Sequence, residues 1–140
     1  MDFGMIGPAL ALGLSSIGSS IGCGIAGMTL HAVISRVEDG HGKFIALSVA
    51  PSSQIIYGFI LMVLMKNAII EGSLSPLSGI GIGATSGLAF LFSAIYQGKA
   101  CATGIQATAK QPSVFGKTFI AVAAIESFAL FSFVFALFLL

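Results

Sequence analysis

Four apolar stretches constrain this chain more than any other feature of its sequence, at about 4–34, 44–65, 77–109 and 115–140. Each is long enough to cross a bilayer as a helix, which takes roughly 20 predominantly apolar residues. The connectors between them, at 35–43, 66–76 and 110–113, are polar and short. Connectors of that length make sequential helices antiparallel neighbours. Composition points the same way: 56% of residues are hydrophobic, 8% are charged and the mean hydropathy is +1.05. Too few polar residues remain to cover a water-soluble surface of this size. The expectation is an all-α integral membrane protein, one membrane domain over 1–140, with four transmembrane helices.

A formal net charge of +1 provides no basic field for nucleic acid and no acidic field for cationic partners. The positive charges are unevenly placed. Arg36, Lys43, Lys110 and Lys117 flank the first and third connectors, whereas only Lys66 flanks the second. The positive-inside bias therefore places the first and third connectors in the cytoplasm and both termini outside it. Asp2, rather than a basic cluster, precedes the first apolar run, so that run is expected to stay in the membrane as a helix. Cys23 and Cys101 lie far apart in apolar segments, without metal-ligand or redox spacing, and are expected to be small packing residues. His31 and His41 fall at the end of the first helix and in the loop after it, where solvation, a lipid-head contact or a partner contact is open to each.

The two halves resemble each other. A gapless shift of 74 residues superposes Gly13-Leu14 on Gly87-Leu88, Ser19 on Ser93, Gly24 on Gly98, Gly42-Lys43 on Gly116-Lys117 and Phe59 on Phe133. The chain is expected to be a duplicated helical hairpin, with repeats over 4–66 and 78–140. An even number of crossings separates the copies, so the repeat is parallel rather than inverted. Within each hairpin the helices differ. The first and third are rich in glycine, including the spacings Gly18 to Gly22 and Gly83 to Gly87, which let helices approach closely. The second and fourth carry the bulk, with Phe59, Leu61, Met62 and Met65 in one and Phe119, Phe128, Phe131, Phe133, Phe135 and Phe138 in the other, and are expected to face lipid. Thin helices on one side and bulky ones on the other form a wedge, and identical wedges side by side close into a ring. The alternative is that the glycines only allow tight packing inside a monomer.

Glu126 is the only acid in the last apolar run and lies near neither end of it. A bare carboxylate there costs about 2.5–3.5 kcal/mol on insertion scales, so it must be protonated, paired or bound to a cation. Gln97 and Gln54 lie at a similar distance from the loop ends as Glu126, roughly 20–24 Å at the rise of a helix. Ser53, Gln54 and Tyr57 share a helix face at spacings of three and four. Pro51 removes a backbone donor in mid-helix and loosens carbonyls such as those of Leu47 and Ala50. A carboxylate, two amide oxygens, a hydroxyl and an opened carbonyl form an oxygen cage suited to a hard alkali cation. Gln97 alone could equally serve as a hydrogen-bond link between helices, and Tyr57 could donate to the carboxylate or only pack at the seam. Lys99 is turned away from Gln97 and is expected to snorkel towards the cytoplasm; a Lys99–Glu126 pair would undo the ion site. Under the repeat shift Glu126 falls on Ser52 and Gln97 on Cys23, so one titratable site serves four helices.

The duplicated hairpin, the segment Ala50-Pro51-Ser52-Ser53-Gln54-Ile55-Ile56-Tyr57-Gly58, the segment Tyr96-Gln97-Gly98-Lys99-Ala100 and the segment Ile125-Glu126-Ser127-Phe128-Ala129 together resemble the rotor-ring proteolipids of V-type rotary ATPases. The family's bacterial and archaeal-like members are called subunit K. The likeness covers the whole chain and is greatest to the sodium-binding members. It implies an ion held by Glu126, Gln97, Gln54, the Ser53 hydroxyl and the Ala50 carbonyl, with Tyr57 locking the glutamate. Ser53 stands where those members commonly have Thr and Ala50 where they have Leu, and both keep the ligating atom. Proton-driven relatives share the glutamate, so the transported ion is Na⁺ or H⁺ and no cofactor is expected. The resemblance further implies a homo-oligomeric ring in a bacterial or archaeal cell membrane, a stator subunit with an arginine, and a central stalk on the cytoplasmic loops. The chain would then be a non-catalytic part of an ATP-hydrolysing or ATP-synthesising complex, since it carries no P-loop of its own. A small proton-coupled four-helix exporter is the alternative.

Overall fold

The computed structural model describes residues 3–140, so the expectation for Asp2 lies outside the described residues. Helix α1 spans Ile6–Ile34, α2 His41–Val49, α3 Ser53–Ile70, α4 Pro76–Lys110 and α5 Phe115–Leu137. A 3-10 turn at Ala50–Ser52 joins α2 to α3, so the two form one membrane-length span, His41–Ile70. A second 3-10 turn, Pro112–Val114, leads into α5. Among the described residues, four helical spans are long and apolar enough to cross a membrane, as expected of an integral multi-pass protein.

The helices run past the apolar stretches that announce them. His41 and Lys43 lie in the first turn of α2 rather than in a loop, and Lys66 lies within α3. Helical hydrogen bonding continues into polar residues at the membrane boundary, where hydropathy has already fallen. His41 completes this end through a 2.6 Å hydrogen bond between Nε2 and the Val37 carbonyl. The connector after α3 is a tight reversal: Gly72 takes φ 81, and the amides of Ser73 and Leu74 both return to the Ala68 carbonyl. Ser75 then caps α4 by accepting the Ser78 amide at 3.1 Å, with Pro76 in the first turn.

The most extensive helix contact is between α1 and α4, the two glycine-rich helices. They run parallel at backbone distance. A Cβ on Gly7 would strike the Gly79 carbonyl, one on Gly18 would strike Leu91 backbone, and one on Gly98 would strike the Gly22 carbonyl. Without a hydrophobic drive between helices in lipid, close packing of this kind is what holds them together. Helices α3 and α5 flank the pair and touch each other less.

Many of the bulky side chains on α3 and α5 do point outward, with Phe59, Phe128, Phe131, Phe135 and Phe138 exposed. Leu61 and Met65 do not. Both are fully buried, in the cluster with Ala11, Phe90 and Ala129. Phe133 also turns inward, to stack on Tyr57 at 5.8 Å. The reason is helical period: a flanking helix presents one stripe to its neighbours whatever the size of its residues.

Candidate functional site

The 3-10 turn before α3 sets the site. Pro51 cannot donate to the helix ladder, and its ring is buried against α1, where a Cβ on Gly22 would come within 2.8 Å of the Pro51 Cβ. The Ala50 carbonyl accordingly accepts the backbone N–H of Ser53, three residues on, and also the Ser53 hydroxyl at 3.2 Å. Shortly after the turn, the Ile55 amide is taken by the Ser19 hydroxyl of α1 at 3.1 Å. The proline break is thereby stitched to its neighbour.

From Ser53 the polar groups form a continuous chain across three helices. The Ser53 hydroxyl, whose one proton is shared with the Ala50 carbonyl, also reaches Gln54 Oε1 at 3.3 Å. Gln54 Nε2 donates to Gln97 Oε1 at 2.9 Å and to Ser93 Oγ at 3.3 Å. Gln97 Nε2 in turn donates to the Val122 carbonyl at 3.2 Å and to Glu126 Oε2 at 3.3 Å. The Tyr57 hydroxyl reaches the other carboxylate oxygen, Oε1, at 3.0 Å. Gln54 and Gln97 are fully buried, whereas Glu126 is half-buried on α5. All six residues singled out from the sequence (Ala50, Ser53, Gln54, Tyr57, Gln97 and Glu126) therefore belong to one connected network.

Two questions left open by the residues are answered by this geometry. Gln97 touches the carboxylate as well as linking helices. Tyr57 both donates to Glu126 and packs, with its ring between Phe133 and Phe90 at centroid distances of 5.8 and 6.3 Å. Lys99 lies exposed with Nζ 4.9 Å from the Tyr96 ring centroid, a cation–π contact away from the network. Each carboxylate oxygen instead accepts a neutral donor.

Two members were not singled out. Ser93 and Ser19 are nearly buried, and each uses its hydroxyl at the site. Their signal was present in the repeat, which superposes one on the other. Cys101 is buried in an apolar cluster with Leu47, Ile105 and Val122. Cys23 is a half-buried free thiol.

The sequence model of the ATP synthase C-subunit family matches the chain twice, over residues 6–65 and 80–139. The chain is 34% identical over 137 residues to the A-type ATP synthase subunit K of Methanocaldococcus jannaschii, covering 98% of this chain and 61% of that protein. It is 35% identical over 137 residues to the V-type sodium ATPase subunit K of Enterococcus hirae, covering 96% of this chain and 87% of that protein. The chain thus spans less than two thirds of its archaeal relative and most of its bacterial one. With both hairpins matched and the polar network spread over the two copies, the chain belongs to the ATP synthase C-subunit family.

Proposed function

We propose that this chain is a rotor-ring subunit of a V-type rotary ATPase, carrying Na⁺ or H⁺ across the membrane on Glu126. The observation that carries the proposal is the carboxylate held within the membrane span by Tyr57 and Gln97, each a neutral donor. A carboxylate exposed to lipid must be neutralised, and a bare one enters lipid only at high cost. A stator arginine facing it would supply the alternative partner and release the ion. Rotation then moves loaded sites from one half-channel to the other, and the cost of the bare charge enforces the coupling.

The oxygen donors favour Na⁺ as the cargo, and the bacterial relative is named as a sodium ATPase subunit. The Ala50 carbonyl, Ser53 Oγ, Gln54 Oε1 and Gln97 Oε1 are the oxygens available to it, and the carboxylate supplies the charge. Hard oxygen ligands of this kind suit an alkali cation. The whole chain, 1–140, would act as one membrane domain of two repeats, over 4–66 and 78–140. Its first and third connectors would face the cytoplasm and dock the central stalk near Glu38-Asp39 and Gln111-Pro112. Membership of the family favours this rotor over a four-helix exporter, which would need a substrate cavity.

Carbodiimide labelling of native membranes tests the proposal. Glu126 is expected to be the modified carboxyl, with all ATP-driven transport lost when only a few copies per assembly are modified. Inhibition in linear proportion to the number of modified copies contradicts a rotating ring. Protection of Glu126 by millimolar Na⁺ identifies sodium as the cargo, and indifference to Na⁺ identifies protons.

A further inference from the structure

We propose that Ser93 is a positioning residue of the ion site, fixing which end of the Gln54 amide faces the cation; this rests on the sodium-carrying function proposed above. A hydroxyl has one proton to donate and two lone pairs to accept with. The Ser93 proton is committed to the Ile125 carbonyl of α5 at 3.1 Å. Towards Gln54, Ser93 is therefore an acceptor only, and it takes an N–H from Nε2 at 3.3 Å. The second N–H of the same amide goes to Gln97 Oε1 at 2.9 Å. With both hydrogens of Nε2 placed, Gln54 Oε1 is turned to the opposite side, towards Ser53 and the Ala50 carbonyl.

The amide of a glutamine side chain turns about a broad, two-fold terminal torsion, so its polarity must be imposed from outside. Gln97 Oε1, whose own amide spends both N–H groups on the Val122 carbonyl and Glu126, is an acceptor and imposes part of it by taking one N–H of Gln54; the other N–H needs an acceptor as well. Ser93 supplies the second constraint. Its own orientation comes from the backbone one residue before Glu126, so the same hydroxyl ties the Gln54 amide on α3 to the helix that carries the carboxylate. Without it, one of the two hydrogen bonds that keep Gln54 Oε1 turned towards Ser53 is lost. Ser93 would not touch the cation; it acts through Gln54.

The test is the Na⁺ concentration that half-protects Glu126 from a carbodiimide, measured on the assembled complex in native membranes. For Ser93→Ala that concentration is expected to rise about three- to tenfold, the equivalent of one hydrogen bond, while the labelling rate without Na⁺ stays at the wild-type value. Ser93→Thr, which keeps the hydroxyl, is expected to restore wild-type protection, and the near-isosteric Ser93→Cys to behave like Ser93→Ala. If Ser93→Ala fails to assemble, the Cys and Thr variants carry the comparison. Wild-type half-protection in both Ser93→Ala and Ser93→Cys overturns the role of Ser93 and leaves the sodium site standing. An equal rise in Ser93→Thr overturns it as well, since a steric change is then sufficient. Failure of Na⁺ to protect the wild-type protein overturns the sodium site and this inference with it.

Discussion

Tyr57 and Gln97 divide the Glu126 carboxylate between them, one oxygen each, and they are held there by different means. Gln97 is fixed by polar bonds to Gln54 and the Val122 carbonyl, Tyr57 by ring packing against Phe90 and Phe133. Tyr57→Phe therefore removes the hydroxyl with the ring contacts kept. It is expected to raise the half-protecting Na⁺ concentration about three- to tenfold, with Glu126 still the labelled residue, as carbodiimide titration would show. Most of this network was legible in the sequence, because a lone acid in an apolar run demands partners and few polar residues occur at its depth. Ser93 and Ser19 were not, since a serine in a membrane helix most often bonds its own helix, as Ser48 and Ser127 do with carbonyls three residues back. The superposition of the two halves pairs them, but it pairs Ser53 with Ser127 as well, and Ser127 bonds its own helix.

At the scale of the helices, the glycines of α1 fall into two classes that their spacing alone did not separate. Gly7, Gly18 and Gly22 meet α4 at backbone distance, whereas nothing among the described residues would meet a Cβ on Gly13 or Gly24. Gly22→Ala drives a methyl into the Ala94 backbone carbonyl and towards the closed ring of Pro51, neither of which is the far end of a flexible side chain. It is expected to destabilise the protein by about 1–3 kcal/mol, read as a lowered thermal unfolding midpoint by circular dichroism in detergent. The same limit explains Leu61 and Met65. Size suggested that they face lipid, but which side of a helix is buried depends on its neighbours, and no periodic signal distinguishes lipid from an apolar core. Helix ends were blurred for a related reason. Hydropathy marks where the membrane stops, and α2 and α3 carry their hydrogen bonds beyond it.

For the whole molecule, the wedge leaves an exposed strip of small residues on α1, with Gly13, Ser20 and Gly24 along it. If identical wedges close into a ring, this strip would lie where the thin helices of adjacent copies approach. Gly24→Leu is therefore expected to leave the helical content of the protomer unchanged and to reduce ring assembly, seen as loss of the oligomer in native mass spectrometry. Full assembly of that variant would place the contact between copies elsewhere. Fold and repeat were readable at this scale because hydropathy and internal similarity are properties of long segments. The central claim concerns one atom group, the Glu126 carboxylate as the carrier of the ion. Its most direct test is ATP-driven cation flux into vesicles holding the full rotary complex with Glu126→Gln, which keeps size and polarity and removes the charge. No flux of Na⁺ or H⁺ above background is expected from that variant; transport at the wild-type rate would contradict the account.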